Sequence, residues 1–224
     1  MPGTLPNWGD ARREAARERL LRAAWELVRE DGLAALTLRQ LAKRAGTTTP
    51  TVYAYFDSKN AIFDAMFGQA AQEFLACKQA PYDVADPMQR LLVGVHRFFE
   101  FCASDVARYQ LLFQHPIPGF APSAESYAAA VAALGHTREQ LAAVGIGEQR
   151  HLDLFTALVT GLVDQQISND PGGDRWIRLA DEAVRMFVTH CTSKEPTPWK
   201  APSTRSRKAS TASPRSPRRS ARAG

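Results

Sequence analysis

The hydrophobic residues of this 224-residue chain recur mostly at the spacing of a helix. Within residues 10–30, Ala16, Leu20, Ala24 and Leu27 fall on one side of a helix, while the arginines and glutamates fall elsewhere. No stretch alternates between polar and apolar residues for long enough to predict a strand. The pattern therefore predicts an all-α fold.

The helical pattern continues to about residue 191, interrupted by turns rich in Pro, Gly, Asn and Asp. After the first 57 residues, the predicted helices cover residues 58–78, 87–103, 105–113, 123–134, 147–168 and 174–191. Together with three earlier helices, this gives a bundle of about nine helices.

Two short helices are predicted between residues 37 and 57, joined by a tight turn. Thr37 and Gln40 form a capping box at the start of the first of them, and Gly46 ends it. If the next helix begins near residue 48, Pro50 lies in its first turn, where a proline removes no intrahelical hydrogen bond. The proline is therefore compatible with a helix.

The outward face of this next helix has an unusual composition. A helical projection puts Val52 and Phe56 on the buried side, and Thr51, Tyr53 and Ala54 on the opposite side. A short turn followed by a helix that presents small and hydrogen-bonding side chains is typical of a helix-turn-helix, whose second helix enters the DNA major groove. A helical corner whose aromatic residues pack against neighbours is the alternative interpretation.

Residues 36–66, "LTLRQLAKRAGTTTPTVYAYFDSKNAIFDAM", resemble the DNA-binding domain of the TetR family of bacterial transcriptional regulators. The shared features are the threonine that opens helix 2, the LA-x-x-A-G run into the turn, the aliphatic, Tyr and aromatic-Phe sequence, and the Ser-Lys that opens helix 4. The similarity covers about residues 12–68. It implies a DNA-binding surface formed by Thr37, Arg39, Thr49, Pro50, Thr51, Tyr53, Ala54, Tyr55 and Lys59.

The same resemblance assigns roles within that surface. Thr37 is similar to a phosphate-contacting cap, and Arg39 to a residue that contacts a base or a phosphate. The resemblance implies base-facing positions at Thr49, Pro50, Thr51 and Ala54, and phosphate contacts at Tyr53, Tyr55 and Lys59. Some relatives have a larger residue at the position of Ala54, so the base preference there stays open.

The resemblance also implies a domain organisation. It implies a helix-turn-helix domain over residues 10–57 and a domain for ligand binding and dimerisation over residues 58–193. Outside these two domains we expect a flexible N-terminus over residues 1–9 and, from its composition, a disordered basic tail over residues 194–224. The predicted helix over residues 147–168 is apolar on nearly all sides and must be covered nearly all round. Either a dimer or a deep core in a monomer satisfies that requirement.

In the family, the last two helices form a four-helix dimer interface. Their counterparts here imply an interface that includes Phe155, Leu158, Gly161, Leu162, Trp176, Val184 and Phe187. The helices that enclose the family's effector cavity imply a ligand pocket lined by His96, Arg97, Phe98, Phe101, Cys102 and Tyr109. Ordinary core packing is the alternative for these pocket residues, because aromatic residues at helical spacing are common in cores.

The net charge of +5 is unevenly distributed. Residues 1–60 carry ten Lys/Arg and seven Asp/Glu, residues 61–193 nine and fifteen, and residues 194–224 nine and one. A basic beginning and end predict contact with a polyanion there.

The tail, residues 194–224, is rich in Ser and Pro and is expected to be disordered. It either adds salt-sensitive affinity for phosphates or has no consequence, and its deletion would reduce the salt dependence of DNA binding only in the first case.

Other classes of protein receive little support. Cys77, Cys102 and Cys191 form no CxxC, and the five histidines share no metal-ligand spacing, so we expect no metal. We also expect no cofactor and no enzyme, since no nucleophile-base pair or Gly-rich phosphate loop is present. The absence of a long apolar run predicts a soluble cytoplasmic protein without a membrane partner.

The sequence therefore predicts a homodimeric repressor that binds double-stranded, pseudo-palindromic operator DNA and is released by a small-molecule effector of unknown identity. The alternatives are an activator with the same architecture, or a helical partner-binding protein whose first domain no longer reads DNA and which does not respond to a ligand.

Overall fold

The structure, a computed structural model, describes residues 8–193. Residues 1–7 and 194–224 lie outside this range, and with them the predicted basic tail and all of the predicted flexible N-terminus except Trp8 and Gly9. Those two residues belong to the first helix. The described part of the chain is helical and contains no strand, so the prediction of an all-α fold is confirmed there.

Nine α-helices make up the described range. In chain order they are α1 (Trp8–Asp31), α2 (Leu38–Arg44), α3 (Thr49–Tyr53), α4 (Lys59–Gln79), α5 (Pro87–Ser104), α6 (Val106–Tyr109), α7 (Ala124–Ala143), α8 (Gln149–Asn169) and α9 (Ala180–Thr192). Two 3-10 turns, Leu33–Ala35 and Ile177–Leu179, and a π-helical segment, Gln110–Gln114, lie between them. Within residues 8–193, no helix is long and apolar enough to cross a membrane.

Side-chain caps determine where α2 to α7 begin. Each cap accepts a hydrogen bond from the backbone N–H three residues later, and the six capping residues are Thr37, Thr48, Ser58, Asp86, Asp105 and Ser123. The first N–H groups of a helix have no partner inside the helix, so a cap of this kind stabilises the observed start. Gly46, with a φ of 64°, ends α2 in the left-handed region that favours glycine.

The core forms around α4 and α5. The buried face of α4 consists of Ile62, Phe63, Met66, Phe67, Ala70, Ala71, Phe74 and Lys78. Small residues bring α7 close to α4: Ala129 and Ala133 are fully buried, and a Cβ at Gly68 would lie 3.2 Å from Ser126 Oγ. Lys78 is the only charged residue on this buried face of α4.

Three helices differ from their predicted extents. The structure extends α7 through Gly135 to Ala143, because the buried Leu141 holds its last turns against the core and an interior glycine costs only about 1 kcal/mol. The predicted helix over residues 105–113 is divided into α6 and the wider π-helical segment, and the next residue, His115, has a φ of 48°. The last predicted helix begins as α9 only at Ala180.

Candidate functional site

The turn between α2 and α3 positions the predicted DNA-binding surface. Thr48 Oγ1 accepts a hydrogen bond from the backbone N–H of Thr51, and Pro50 lies in the first turn of α3. Val52 and Phe56 are buried and fix α3 to the rest of the structure. Because α3 has only five residues, this cap and these two buried residues determine which side chains face outward.

The nine residues of the predicted surface all lie at exposed or half-buried positions. The exposed ones are Thr37, Arg39, Pro50, Thr51, Tyr53 and Ala54, and the half-buried ones are Thr49, Tyr55 and Lys59. Tyr53 leaves 51% of its surface exposed, so its ring and hydroxyl group are accessible to a binding partner. The structure thus presents all nine at the surface of a single segment, residues 37–59.

Two of the hydroxyl groups on this surface already have protein partners. Thr37 Oγ1 accepts from the backbone N–H of Gln40, which is the first half of the predicted capping box. Gln40 Oε1 accepts from the Thr37 hydroxyl at 2.6 Å, whereas a complete capping box has it accept from the Thr37 backbone N–H. Thr51 Oγ1 lies 2.9 Å from Thr48 Oγ1. A hydroxyl has one donor and two acceptor sites, so both retain the capacity to bind one more group.

The cations of this region divide into paired and unpaired groups. Arg44 on α2 contacts Glu26 at 3.6 Å and Glu30 through a bidentate pair, and the hydrogen bond from Arg44 holds the pKa of Glu30 below its ordinary value. Arg39 and Lys43 have no carboxylate partner within the described range. Arg44 therefore joins α2 to α1, whereas Arg39 and Lys43 remain available to an anion.

Arg13 on α1 belongs to the same surface and was absent from the sequence-based set. Its guanidinium group donates to the carbonyl oxygen of Ala54 at 3.4 Å and lies 5.8 Å from the ring centroid of Tyr55. The cluster of arginines near the start of α1 was the available signal, but only the fold shows that α1 reaches the end of α3. The surface combines cations, hydroxyls and aromatic O–H groups, which are the groups that contact phosphates and base edges.

A second candidate site is a cavity of about 220 Å³ inside the helical region after α3. Its lining consists of Phe74, Lys78, Val95, Phe98, Leu112, Phe113, His115, Tyr127, Ala130, Ala133, Leu134, Thr137, Phe155, Thr156, Val159 and Thr160. The ring of Phe113, on the π-helical segment, lies edge-on to Phe74 and to Phe98, with both centroid distances 5.4 Å. The site is a largely apolar cavity with a few polar groups, the usual form of a small-molecule site.

Of the six residues predicted to line the pocket, only Phe98 lines this cavity. His96 Nε2 lies 2.7 Å from Asp181 Oδ1 on α9, and Arg97 donates to the carbonyl oxygens of Ala80 and Pro81. Phe101, Cys102 and Tyr109 are buried in the core. These five residues therefore hold the helices that surround the cavity.

Tyr109 illustrates that supporting role. Its hydroxyl donates to Asp164 Oδ1 on α8 at 2.6 Å, and the same oxygen accepts from the Gln114 side chain at 2.7 Å. Burial, followed by the hydrogen bond to Asp164, raises the pKa of Tyr109. Burial likewise raises the pKa of the Cys102 thiol, so neither group is ionised near neutral pH.

One feature of the sequence points to the cavity and was not among the predicted pocket residues. Phe63, Phe67, Phe74 and Lys78 share one helical face, and a lysine on an otherwise apolar face is uncommon. The other lining residues come from α5, α7, α8 and the π-helical segment, so no local pattern brings them together.

The residues of the predicted dimer interface separate into two groups. Leu158, Leu162 and Phe187 line an open groove between α8 and α9, and Gly161 is exposed, with nothing within 4 Å of the position of a Cβ. The second group is turned inward: Phe155 lines the cavity, Val184 is fully buried, and Trp176 is half-buried with no partner for its buried Nε1.

Comparison with known sequences supports the interpretation of the first site. The sequence profile described as "Bacterial regulatory proteins, tetR family" matches residues 20–66. The HTH-type transcriptional activator FasR of Mycolicibacterium smegmatis is 32% identical over 104 residues, 46% of this chain and 48% of that protein. The HTH-type transcriptional repressor BepR of Brucella suis is 33% identical over 99 residues, 43% of this chain and 47% of that protein.

A solved structure extends the similarity in fold beyond residues 20–66. The TetR family transcriptional regulator PfmR from Thermus thermophilus superposes with a TM-score of 0.59 at 18% identity, over 76% of this chain and 97% of that one. The sequence matches span about half the length of the two curated relatives, FasR and BepR. Residues 20–66, which run from α1 into α4, therefore belong to the tetR family of bacterial regulatory proteins.

Proposed function

We propose that the protein is a homodimeric transcriptional regulator that binds a pseudo-palindromic operator through α2 and α3 and releases it when a small-molecule effector occupies the cavity. The observation that supports this best is the outward face of α3. It presents Thr51, Tyr53 and Ala54 to solvent while Val52 and Phe56 are buried. Exposed small and hydrogen-bonding residues on a rigidly held helix suit close approach to base edges in the major groove.

Charge supports DNA over a protein partner as the target of this surface. Arg39, Lys43 and Lys59 have no carboxylate partner in the described range, and Lys59 Nζ lies 5.3 Å from the ring centroid of Phe63. Unpaired cations around a helix that presents hydroxyls match a phosphate backbone. Because the target is the bacterial chromosome, we propose that the protein acts in the cytoplasm.

The groove between α8 and α9 supports the proposed dimer. Besides the residues already named, Leu179 and Met186 line it, and Met186 leaves 64% of its surface exposed. Leu154, also on α8, is 57% exposed. Apolar residues concentrated on one face are typical of an interaction surface. Two copies related by a two-fold axis would place their α3 helices at half-sites about 34 to 36 Å apart, or a multiple of that distance.

Contacts between α1 and α6 offer a route from the cavity to the DNA-binding surface. Arg29 on α1 donates two hydrogen bonds to Asp105 Oδ2, at 2.9 and 2.7 Å, and Asp105 caps α6. Phe113, shortly after α6, lines the cavity. A ligand that prefers one position of this segment would shift the population of α1 positions and hence the spacing of the two DNA-binding surfaces.

The most direct test is to incubate the purified protein with sheared genomic DNA and sequence the retained fragments. We expect a small set of fragments that share one inverted repeat, and a reporter gene behind that repeat then distinguishes a repressor from an activator. A Tyr53→Ala, Lys59→Ala variant serves as the control and should retain none of the set. Retention of random fragments only, or of the same fragments by the variant, would contradict the proposal.

A further inference from the structure

Among the described residues that line the cavity, Lys78 is the one Lys, Arg, Asp or Glu. It is 9% exposed and lies on the buried face of α4. Within the described range its ammonium group has no carboxylate or hydrogen-bond partner. Its nearest defined neighbours are aromatic: Nζ lies 5.5 Å from the ring centroid of Phe74 and 5.7 Å from that of Phe98. An unpaired cation is therefore held among aromatic rings.

Such a lysine is unfavourable for folding. Removing an ammonium group from water is costly unless a counter-charge compensates, and contact with two rings offsets only part of that cost. Desolvation lowers the pKa of Lys78 to about 8, so the group is still mostly protonated at neutral pH. A methionine would fill the same space without this cost. A ligand that brings a negative charge would compensate it.

Lys78 is also accessible to a ligand from the two neighbouring cavities. It lines both the apolar cavity and a neighbouring groove of about 270 Å³, and no other residue lines both. The lining of the apolar cavity contains no Asp or Glu. The titratable groups around Lys78 in the two linings and nearby on α4 and α5 are Tyr82, Arg90, His115, Tyr127, His136, Glu139, Cys77 and Cys102. The one carboxylate among them, Glu139, is exposed and lies 3.5 Å from His136.

We propose that the effector is a small organic carboxylate whose negative group contacts the Lys78 ammonium and whose apolar body packs against the aromatic rings of the cavity. This inference rests on the proposed ligand response of the regulator. The cavity has a volume of about 220 Å³. An aromatic acid of the size of benzoate or phenylacetate has a suitable size.

Matched probes test this proposal without knowledge of the natural effector. Benzoate, phenylacetate and hexanoate, each paired with its neutral amide, are titrated into the full-length protein without DNA, and heats of binding are measured at pH 7. We expect at least one acid to bind roughly 10- to 100-fold more tightly than its amide, the effect of a hydrogen bond to a charged group. Raising the pH to about 9 should weaken binding of that acid and not of its amide, because Lys78 loses its proton.

Two variants separate a direct contact from a change of fold. Lys78→Met should abolish the preference for the acid, whereas Arg138→Met, which removes an exposed cation on α7 outside the lining of the cavity, should keep it. Equal binding of acids and amides, a retained preference in Lys78→Met, or no binding of any acid at millimolar concentration would overturn the proposal. These titrations contain no DNA, so their outcome is independent of the genomic-fragment experiment. Failure of the titrations alone would overturn the carboxylate proposal, and failure of the genomic-fragment experiment alone would overturn the proposed DNA binding.

Discussion

The DNA-binding surface and the cavity use the same kinds of residue in opposite ways. On the surface, Tyr53 and Arg39 are exposed and a nearby capping hydroxyl sets the direction of the helix. In the cavity, Phe98 and Lys78 are buried, and four helices and the π-helical segment together define their positions. The first site is defined by a short stretch of sequence and the second by long-range packing.

The largest expected effect concerns the exposed surface. A Tyr53→Ala, Lys59→Ala variant removes two proposed phosphate contacts from each subunit, and a dimer carries every change twice. We expect operator affinity to fall at least about 100-fold, since a hydrogen bond to a charged group contributes about 1.5 to 3 kcal/mol. The measurement is a fluorescence anisotropy titration with operator DNA, with the oligomeric state checked by size-exclusion chromatography.

The control for that experiment changes an exposed apolar residue and a cation outside residues 20–66. Val131→Ala, Arg138→Ala on α7 meets this requirement, because both side chains are exposed and neither lines the cavity. It should bind operator DNA like the unmodified protein. If the two double variants lose similar affinity, the exposed face of α3 is not the DNA-binding surface.

The second prediction concerns the contact that connects the two regions. Asp105→Ala removes the cap of α6, where Oδ1 accepts from the Arg108 N–H at 3.1 Å, and both hydrogen bonds from Arg29. The Asp105 side chain is 8% exposed, so these bonds are shielded from water and we expect a loss of about 2 to 4 kcal/mol in the free energy of unfolding. Urea denaturation measures it.

Asp31→Ala is the matched control, since Asp31 is an exposed aspartate at the end of α1. Its free energy of unfolding should change by no more than about 0.5 kcal/mol. Equal midpoints for the two variants would show that the contact between α1 and α6 adds nothing to stability, and the proposed route between the sites would lose its main support.

The third prediction concerns the buried lysine, whose replacement should increase the free energy of unfolding rather than lower it. Lys78→Met should increase the free energy of unfolding at pH 7 by about 1 to 3 kcal/mol, because it removes an unpaired charge from an apolar environment. Lys43→Met, at an exposed position, should have little effect. A substitution that improves stability and removes ligand preference is the pattern expected of a residue kept for function.

The pH dependence of this effect follows from the pKa of Lys78, about 8 in the folded protein against an ordinary value of 10.5. Below pH 8 the lysine is protonated in both the folded and the unfolded state, so folding carries the full cost of desolvating the ammonium group. Between about pH 8 and 10.5 the folded state loses the proton first, so the lysine protein becomes more stable as the pH rises. The stability advantage of Lys78→Met should therefore shrink from pH 7 to pH 10. A constant difference would indicate that Lys78 is not desolvated.

The difference between the two regions also explains what the sequence could predict. The starts of α2, α3 and α4 follow from Thr37, Thr48 and Ser58, because a cap acts on an N–H only three residues away. The cavity depends on which distant helices meet. Phe155, which the resemblance assigned to the dimer interface, lines the cavity, since helical periodicity defines a face without identifying what covers it.

The smallest expected effect tests whether the DNA-binding surface is organised locally. Thr48→Ala removes the cap of α3 and the contact with Thr51 Oγ1, and we expect a loss of about 1 kcal/mol in the free energy of unfolding. Thr48→Ser keeps the accepting oxygen and should lose much less. Because α3 takes no part in lining the cavity, the alanine variant should weaken operator binding in anisotropy titrations while its calorimetric affinity for a carboxylate probe stays unchanged. A parallel loss of both affinities would show that the two sites share one cooperative structure, and the contrast between local and long-range organisation would not hold.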